Sequence, residues 1–230
     1  MLQLNHIKKT YNKTEVLTDV NYTFEENRIY PILGGPGSGR TTLFECMCDD
    51  MTIDSGSIEV IYDKDLKKKQ TVFLAAKQSI LPMYITGYEF IKYLCELNKN
   101  ALEPEEYLNR VDFDETLRNT LICNYSFENK KSLQLAAFLV QRPYVIIFDE
   151  ALDYCSDEYV DMFLRVLNEE KENHIILIST GQLDMALRID DEFLVLSNGE
   201  FNEVSKKMLD IPEIKNAIKD ILGETDNDIF

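Results

Sequence analysis

Four of the chain's 9 glycines fall within six residues, Gly34 to Gly39, directly after the unbroken apolar run Ile29 to Leu33. The loop Gly34-Gly35-Pro36-Gly37-Ser38-Gly39-Arg40-Thr41-Thr42 is followed by Leu43, Phe44 and a helical pattern. The order strand, glycine-rich loop, helix leaves few folds open. A run apolar at every position belongs to a parallel strand covered on both faces, so the chain must build helices around a sheet. A second such run, Val145 to Phe148, predicts a second central strand. Together they define an α/β core.

The loop matches the phosphate-binding template G-x-x-x-x-G-K-[ST] at every position except the lysine, which is Arg40. Glycines allow the backbone to wrap a phosphate closely and to aim N–H groups and a helix N-terminus at the anion. Thr41 supplies the hydroxyl that such loops offer to Mg2+, a hard ion that favours octahedral oxygen coordination. Arg40 keeps the positive charge, but its planar fork does not act as a point charge. Asp149 and Glu150 end the second central run, at the C-terminal edge where doubly wound sheets place their ligands. Asp149 suits a metal ion and Glu150 suits orienting or deprotonating a water.

Further apolar runs at Thr71 to Ala75, Ile175 to Ile178 and Phe193 to Leu196 are expected to extend the same sheet, and Asn198-Gly199 marks a tight hairpin to Phe201. Period-two alternation in Leu2 to His6, Val20 to Phe24 and Ser57 to Tyr62 predicts half-buried strands, the last at a sheet edge. Between Tyr88 and Val140 strand signals fade, and Phe90, Ile91, Leu94 and Leu97 recur at helical spacing. The reading is one domain: a core lobe from 1–76 and 141–210, a helical subdomain at 77–140, and a C-terminal helix with an acidic tail at 211–230.

Charge narrows the partners. With 41 acidic against 24 basic side chains, a net −17, the surface as a whole repels nucleic acid, so no nucleic-acid partner is expected and an anionic ligand must be held locally. No apolar run approaches the roughly 20 residues of a membrane span. The first residues carry no secretion signal, which predicts a cytoplasmic chain. The 5 cysteines, an odd number without Cys-x-x-Cys, read as reduced thiols largely in apolar segments, and no structural zinc site is expected.

Taken in order, these segments resemble the nucleotide-binding subunit of an ATP-binding cassette (ABC) transporter over nearly the whole chain. Lys9 to Tyr11 resembles the loop whose aromatic ring stacks on adenine, 34–42 the Walker A loop, Asp54 to Ile58 the segment after the first helix, and Ile85 to Leu94 the opening of the helical subdomain. Arg142 to Glu150 is similar to Walker B and Ala151-Leu152-Asp153 to the D-loop. The resemblance implies a P-loop NTPase core with a mostly parallel sheet, helices on both faces, an antiparallel β edge and an inserted α-helical subdomain. It implies ATP and Mg2+ as ligands and Glu150 as catalytic residue. It also implies nucleotide contacts from Tyr11, Gly34, Gly35, Pro36, Gly37, Ser38, Gly39, Arg40, Thr41, Thr42, Gln78, Ser126 and Asp153, and metal contacts from Thr41, Asp149 and Gln78. The partners it implies are a transmembrane permease subunit and a second cassette, as homodimer or heterodimer, at the inner face of the cell membrane.

With Arg40 at the Walker A lysine, three family positions are altered, and these are expected to weaken activity through Arg40, Glu128 and Gly181. The signature loop reads Tyr125-Ser126-Phe127-Glu128-Asn129 and keeps only its serine. A carboxylate about 4 Å from a phosphate costs on the order of 4 kcal/mol at an effective dielectric of about 20, so Glu128 either opposes a partner's nucleotide, with Lys130 and Lys131 offsetting part of the charge, or caps its own helix. Gly181 stands where the family has a switch histidine, and His174, before that strand, reads as a surface residue. The Q-loop position falls on Ala76 by strict alignment or on Gln78 after a two-residue slip. The leading expectation is an ATP-binding subunit with slow hydrolysis, serving an exporter of peptides or drugs. The alternative is a pseudo-ATPase that regulates or scaffolds a membrane partner or an active cassette. A P-loop small-molecule kinase is set aside, since such enzymes lack the inserted helical segment and the Asp-Glu strand end in this order.

Overall fold

The computed structural model of the chain describes residues 1–11, 13–61 and 72–223. Two strands, β1 (Leu2–Tyr11) and β2 (Thr14–Phe24), open the chain, followed by β3 (Arg28–Leu33), α1 (Arg40–Met47), β4 (Ser55–Val60) and β5 (Val72–Ala75). Helices α2 (Gly87–Leu97), α3 (Pro104–Arg110) and α4 (Phe127–Gln141) then precede β6 (Val145–Phe148), α5 (Asp157–Glu170) and β7 (Ile175–Thr180). Last come α6 (Leu183–Ile189), β8 (Glu192–Ser197), β9 (Glu200–Ser205) and α7 (Pro212–Leu222).

The main sheet has six strands in the order β5-β6-β7-β3-β8-β9, parallel except for the terminal β8–β9 hairpin. Asn198 and Gly199, both left-handed, form that hairpin's two-residue turn. On the central strands successive side chains feed two different cores, which is why every position must be apolar. Ile146, Phe148, Ile176 and Ile178 face the core under α4 and α5. Val145, Ile147, Ile175 and Leu177 face the core shared with α1 and the first two strands.

The segment beginning at Ser57 forms an edge strand, as its alternation predicts: β4 pairs antiparallel with β1 at the border of a separate sheet of order β2-β1-β4. Tyr62 and Thr71, placed in strands from the sequence, lie outside the described residues. Strand β1 also runs well past His6, because a register shift between Leu4 and Ile7 breaks the alternation and returns Ile7 to the core. Period-two reading stops at such a bulge although the strand continues.

The helices of the 87–141 stretch carry their own start signals. Thr86 and Glu89 form a capping box at α2, and the Ser126 hydroxyl accepts the Asn129 N–H at α4. Helix α7 starts with Pro212 and stops at the left-handed Gly223, while the acidic stretch from Glu224 onward lies outside the described residues. Ile218 and Leu222 of α7 pack with Leu33 of β3 and Ala186 of α6. The C-terminal end of α7 is thereby set beside the glycine-rich loop.

Candidate functional site

The chain leaves β3 at Leu33 and enters α1 through the glycine-rich loop. Gly39 caps α1 with φ +98°, a conformation that a residue with a Cβ adopts only under strain. Gly35 is required for a different reason: a Cβ there would lie 2.2 Å from the Ile221 carbonyl oxygen of α7. The loop and the Asp149-Glu150 end of β6 border one open cleft of about 600 Å³, lined by Gly35 to Thr42, Lys77, Glu150, Asp153, Tyr154, Gly181, Gln182 and Leu222, with Val16 at its rim.

The acidic pair is tied to the loop by short bonds. Thr41 Oγ1 donates to Asp149 Oδ2 at 2.9 Å, and Ser179 Oγ, at the end of β7, donates to Asp149 Oδ1 at 2.6 Å. Ser179 Oγ also accepts the Glu150 N–H at 2.9 Å, helping to hold Glu150 in a left-handed backbone conformation with φ 47°. The Glu150 carboxylate lies between two cations: Oε1 accepts from Arg40 Nη2 at 2.9 Å and Oε2 meets Lys77 Nζ at 2.5 Å. Arg40 is only 7% exposed, and its Nη1 has no hydrogen-bond partner. Ser38 Oγ in the same loop is likewise buried and unpartnered. Buried donors without acceptors cost free energy, so a cleft with two of them is built for an anion.

Asp153, at the D-loop position, is buried. It accepts from Thr180 Oγ1 at 2.6 Å and from the Gly181 N–H at 3.0 Å. The backbone amide of Gly181 thus serves as a structural donor where the family carries a histidine side chain. Ser126 stands at the start of α4 as its cap. Glu128 does not cap its own helix, a place taken by Ser126: its Oε1 accepts the backbone N–H of Ser156 at 2.6 Å, the residue that caps α5.

Several expected residues stand elsewhere. Gln78 is exposed and does not line the cleft; Lys77 does. Ala76, the other reading of the Q-loop, offers its carbonyl to Lys131 Nζ at 2.7 Å. Tyr11 is 57% exposed at the end of β1 and is not among the cleft residues. His174 is not a surface residue. It is buried edge-on against Phe138, and Nδ1 must carry the proton, because its partner at 2.5 Å is the Pro143 carbonyl oxygen. Burial pushes its imidazole below the ordinary range, keeping it neutral. The cysteines are free, but Cys123 is exposed while Cys46 is buried.

Two functional groups escaped the sequence reading: Lys77 and Ser179, which bear on the acidic pair. Lys131, read as offsetting charge near Glu128, instead lies 1% exposed within α4 with its Nζ on the Ala76 carbonyl, its amine pushed down to about 8 chiefly by burial. A lysine one residue from an expected glutamine, and a serine closing a parallel strand, have no motif to mark them.

A parallel sheet whose strand β3 passes through such a loop into α1, with an acidic pair at the end of β6, defines a P-loop nucleotide-binding fold. A family model described as ABC transporter matches residues 17–153, more than half the chain, and the chain belongs to that family as an ATP-binding cassette subunit. Among curated relatives, an uncharacterised ABC transporter ATP-binding protein of Bacillus subtilis, YybJ, is 25% identical over 216 residues, covering 91% of this chain and 98% of its own. The energy-coupling factor transporter ATP-binding protein EcfA2 of Mycoplasmoides gallisepticum is 25% identical over 221 residues, 84% of this chain and 68% of its own. A solved dimeric ATP-binding cassette bound to ADP and Pi superposes with a TM-score of 0.75 at 20% identity, covering 89% of this chain and 98% of that one. The ATP binding subunit of an ABC transporter superposes at 0.79 with 18% identity, covering 97% and 99%. Both share the fold.

Proposed function

We propose that this chain binds Mg-ATP in the cleft beside Gly34 to Thr42 and couples that binding, with slow hydrolysis, to transport by a separate membrane subunit. One observation carries the reading: Thr41 and Asp149 are hydrogen-bonded under a glycine-rich loop that holds two buried donors without partners, Ser38 Oγ and Arg40 Nη1. Those groups suit a bound polyphosphate. Thr41 and Asp149 would hold Mg2+, which when bound offsets triphosphate charge. The loop amides and Thr42 would bind phosphate, and Tyr11, exposed at the end of β1, is free to meet a base.

The rate follows from Glu150. A carboxylate that takes a proton from water must present a lone pair to it, and here each oxygen already meets a cation, Arg40 on one and Lys77 on the other. Two cations competing for the same carboxylate are what make turnover slow in this reading.

The partners in this reading are a membrane subunit and a second cassette. EcfA2 is named as a transporter's ATP-binding protein, and the superposing cassette was solved as a dimer. Among the described residues no helix is long and apolar enough to cross a membrane. The cassette would work at the cytoplasmic face, with Ser126 and Asp153 toward its partner cassette, and the cargo carried by this reading is a peptide or drug for export.

Calorimetric titration of the purified chain with Mg-ATP tests the proposal. Saturable binding is expected, and no affinity either alone or with its co-purified membrane partner would refute it. The doubly paired Glu150 also favours a second reading, a cassette that binds nucleotide and regulates its partner without hydrolysis. That reading gains if Glu150→Gln alters neither phosphate release nor transport.

A further inference from the structure

We propose that Lys77 is a phosphate-binding residue of this cleft, supplying from the segment after β5 the mobile cation that Arg40 does not. The inference rests on the ATP-binding reading and names the group that meets the terminal phosphate.

Arg40 occupies the position of the loop's usual lysine, yet it is 93% buried by its 7% exposure, and its Nη2 is committed to Glu150. Withdrawing it would take the buried partner from a carboxylate that is itself only 16% exposed and move a bulky planar group through a packed site. Lys77 is its physical opposite. Its side chain is 62% exposed, it lines the same cleft as Gly35 to Thr42, and its compact ammonium rests on Glu150 Oε2. The carboxylate keeps that ammonium firmly protonated. A second contact fixes where the side chain emerges, because Lys131 Nζ holds the carbonyl of Ala76, the residue before it, at 2.7 Å. The anchor is rigid and the charge is free to swing.

Glu150 is 16% exposed, but it keeps its Arg40 partner when Lys77 leaves, and the 62%-exposed ammonium exchanges one anion for another, so an arriving triphosphate can draw Lys77 across without leaving a buried charge unpaired. Phosphate capture and release of Glu150 Oε2 then become one event. Because Lys77 sits on Glu150, it serves the end of the nucleotide next to the water-orienting carboxylate, so ATP should feel it more than ADP.

The test compares Mg-ATP and Mg-ADP affinities of the full chain, wild type against Lys77→Gln and Lys77→Arg, at low and high salt. Lys77→Gln is expected to weaken ATP about tenfold, equivalent to ~1.4 kcal/mol, to weaken ADP less, and to flatten the salt dependence. Lys77→Arg should regain most of the loss. Wild-type binding with an unchanged Lys77→Gln variant overturns the inference, as does equal loss of ATP and ADP without recovery in Lys77→Arg. Failure of the wild type to bind ATP would instead remove the proposed function, and the inference with it.

Discussion

Lys131 sits almost wholly out of water, and removing that cost is the perturbation with the clearest signature. Burial is the main cause that takes its amine from an ordinary 10.5 down to about 8, against smaller upward pulls from Asp149, Cys155 and Glu150. The charged form is therefore disfavoured in the folded chain by about 3 kcal/mol. Below about pH 8 the lysine is protonated in both states and this destabilisation is fully present. Between about pH 8 and 10.5 the unfolded chain holds more protons than the folded one, so unfolding free energy must climb with pH. The control is Lys131→Met, close in volume and without the charge. It leaves the Ala76 carbonyl unpaired, at about 1–3 kcal/mol, but this loss does not depend on pH. Urea unfolding of both proteins across the window should show the wild type gaining about 2 to 3 kcal/mol relative to the variant. Other titrating groups cancel in the difference. Parallel stability curves would mean that Lys131 is hydrated in solution, and the account of its burial would be wrong.

Other expected outcomes follow from contacts already described. Phe148 is 1% exposed and meets the rings of Phe138 and Phe163 at 6.3 and 4.9 Å, so Phe148→Ala should lose about 3–5 kcal/mol in urea unfolding. Gly35→Ala drives a methyl group into the Ile221 carbonyl; it should lower stability by about 1–3 kcal/mol and weaken nucleotide binding, both readable by calorimetry. A maleimide at mildly alkaline pH should modify exposed Cys123 first, while Cys48, whose thiol burial pushes up to about 12, reacts slowly; mass spectrometry of a time course reads the order.

The sheet was legible because its central strands face two cores. Val145 to Phe148 and Ile29 to Leu33 can be apolar throughout only if both faces are covered, and the pattern carries that fact in the chain. The glycine-rich loop was legible for a similar reason, since its composition records how closely the backbone must approach its neighbours, α7 among them. What alternation could not show was partnership. Ser57 and its neighbours read correctly as a half-exposed strand, but a strand does not say which sheet it will join, and β1 claimed it. His174 read as exposed because a histidine before a strand carries no mark of the aromatic ring and carbonyl that enclose it. The sequence allowed Glu128 to cap its own helix, and the structure sets it instead on the amide of Ser156, 28 residues away.

Local chemistry that a segment satisfies by itself was written in the residue order: turn glycines, strand alternation, helix caps and the acidic pair at a strand end. Only folding decided which charges would neutralise one another. Arg40 and Glu150 are separated by 110 residues, and Lys77 reaches the same carboxylate from a third segment. An ion pair depends on distance through space, a quantity that spacing along the chain does not carry until the sheet brings β3, β5 and β6 to one edge.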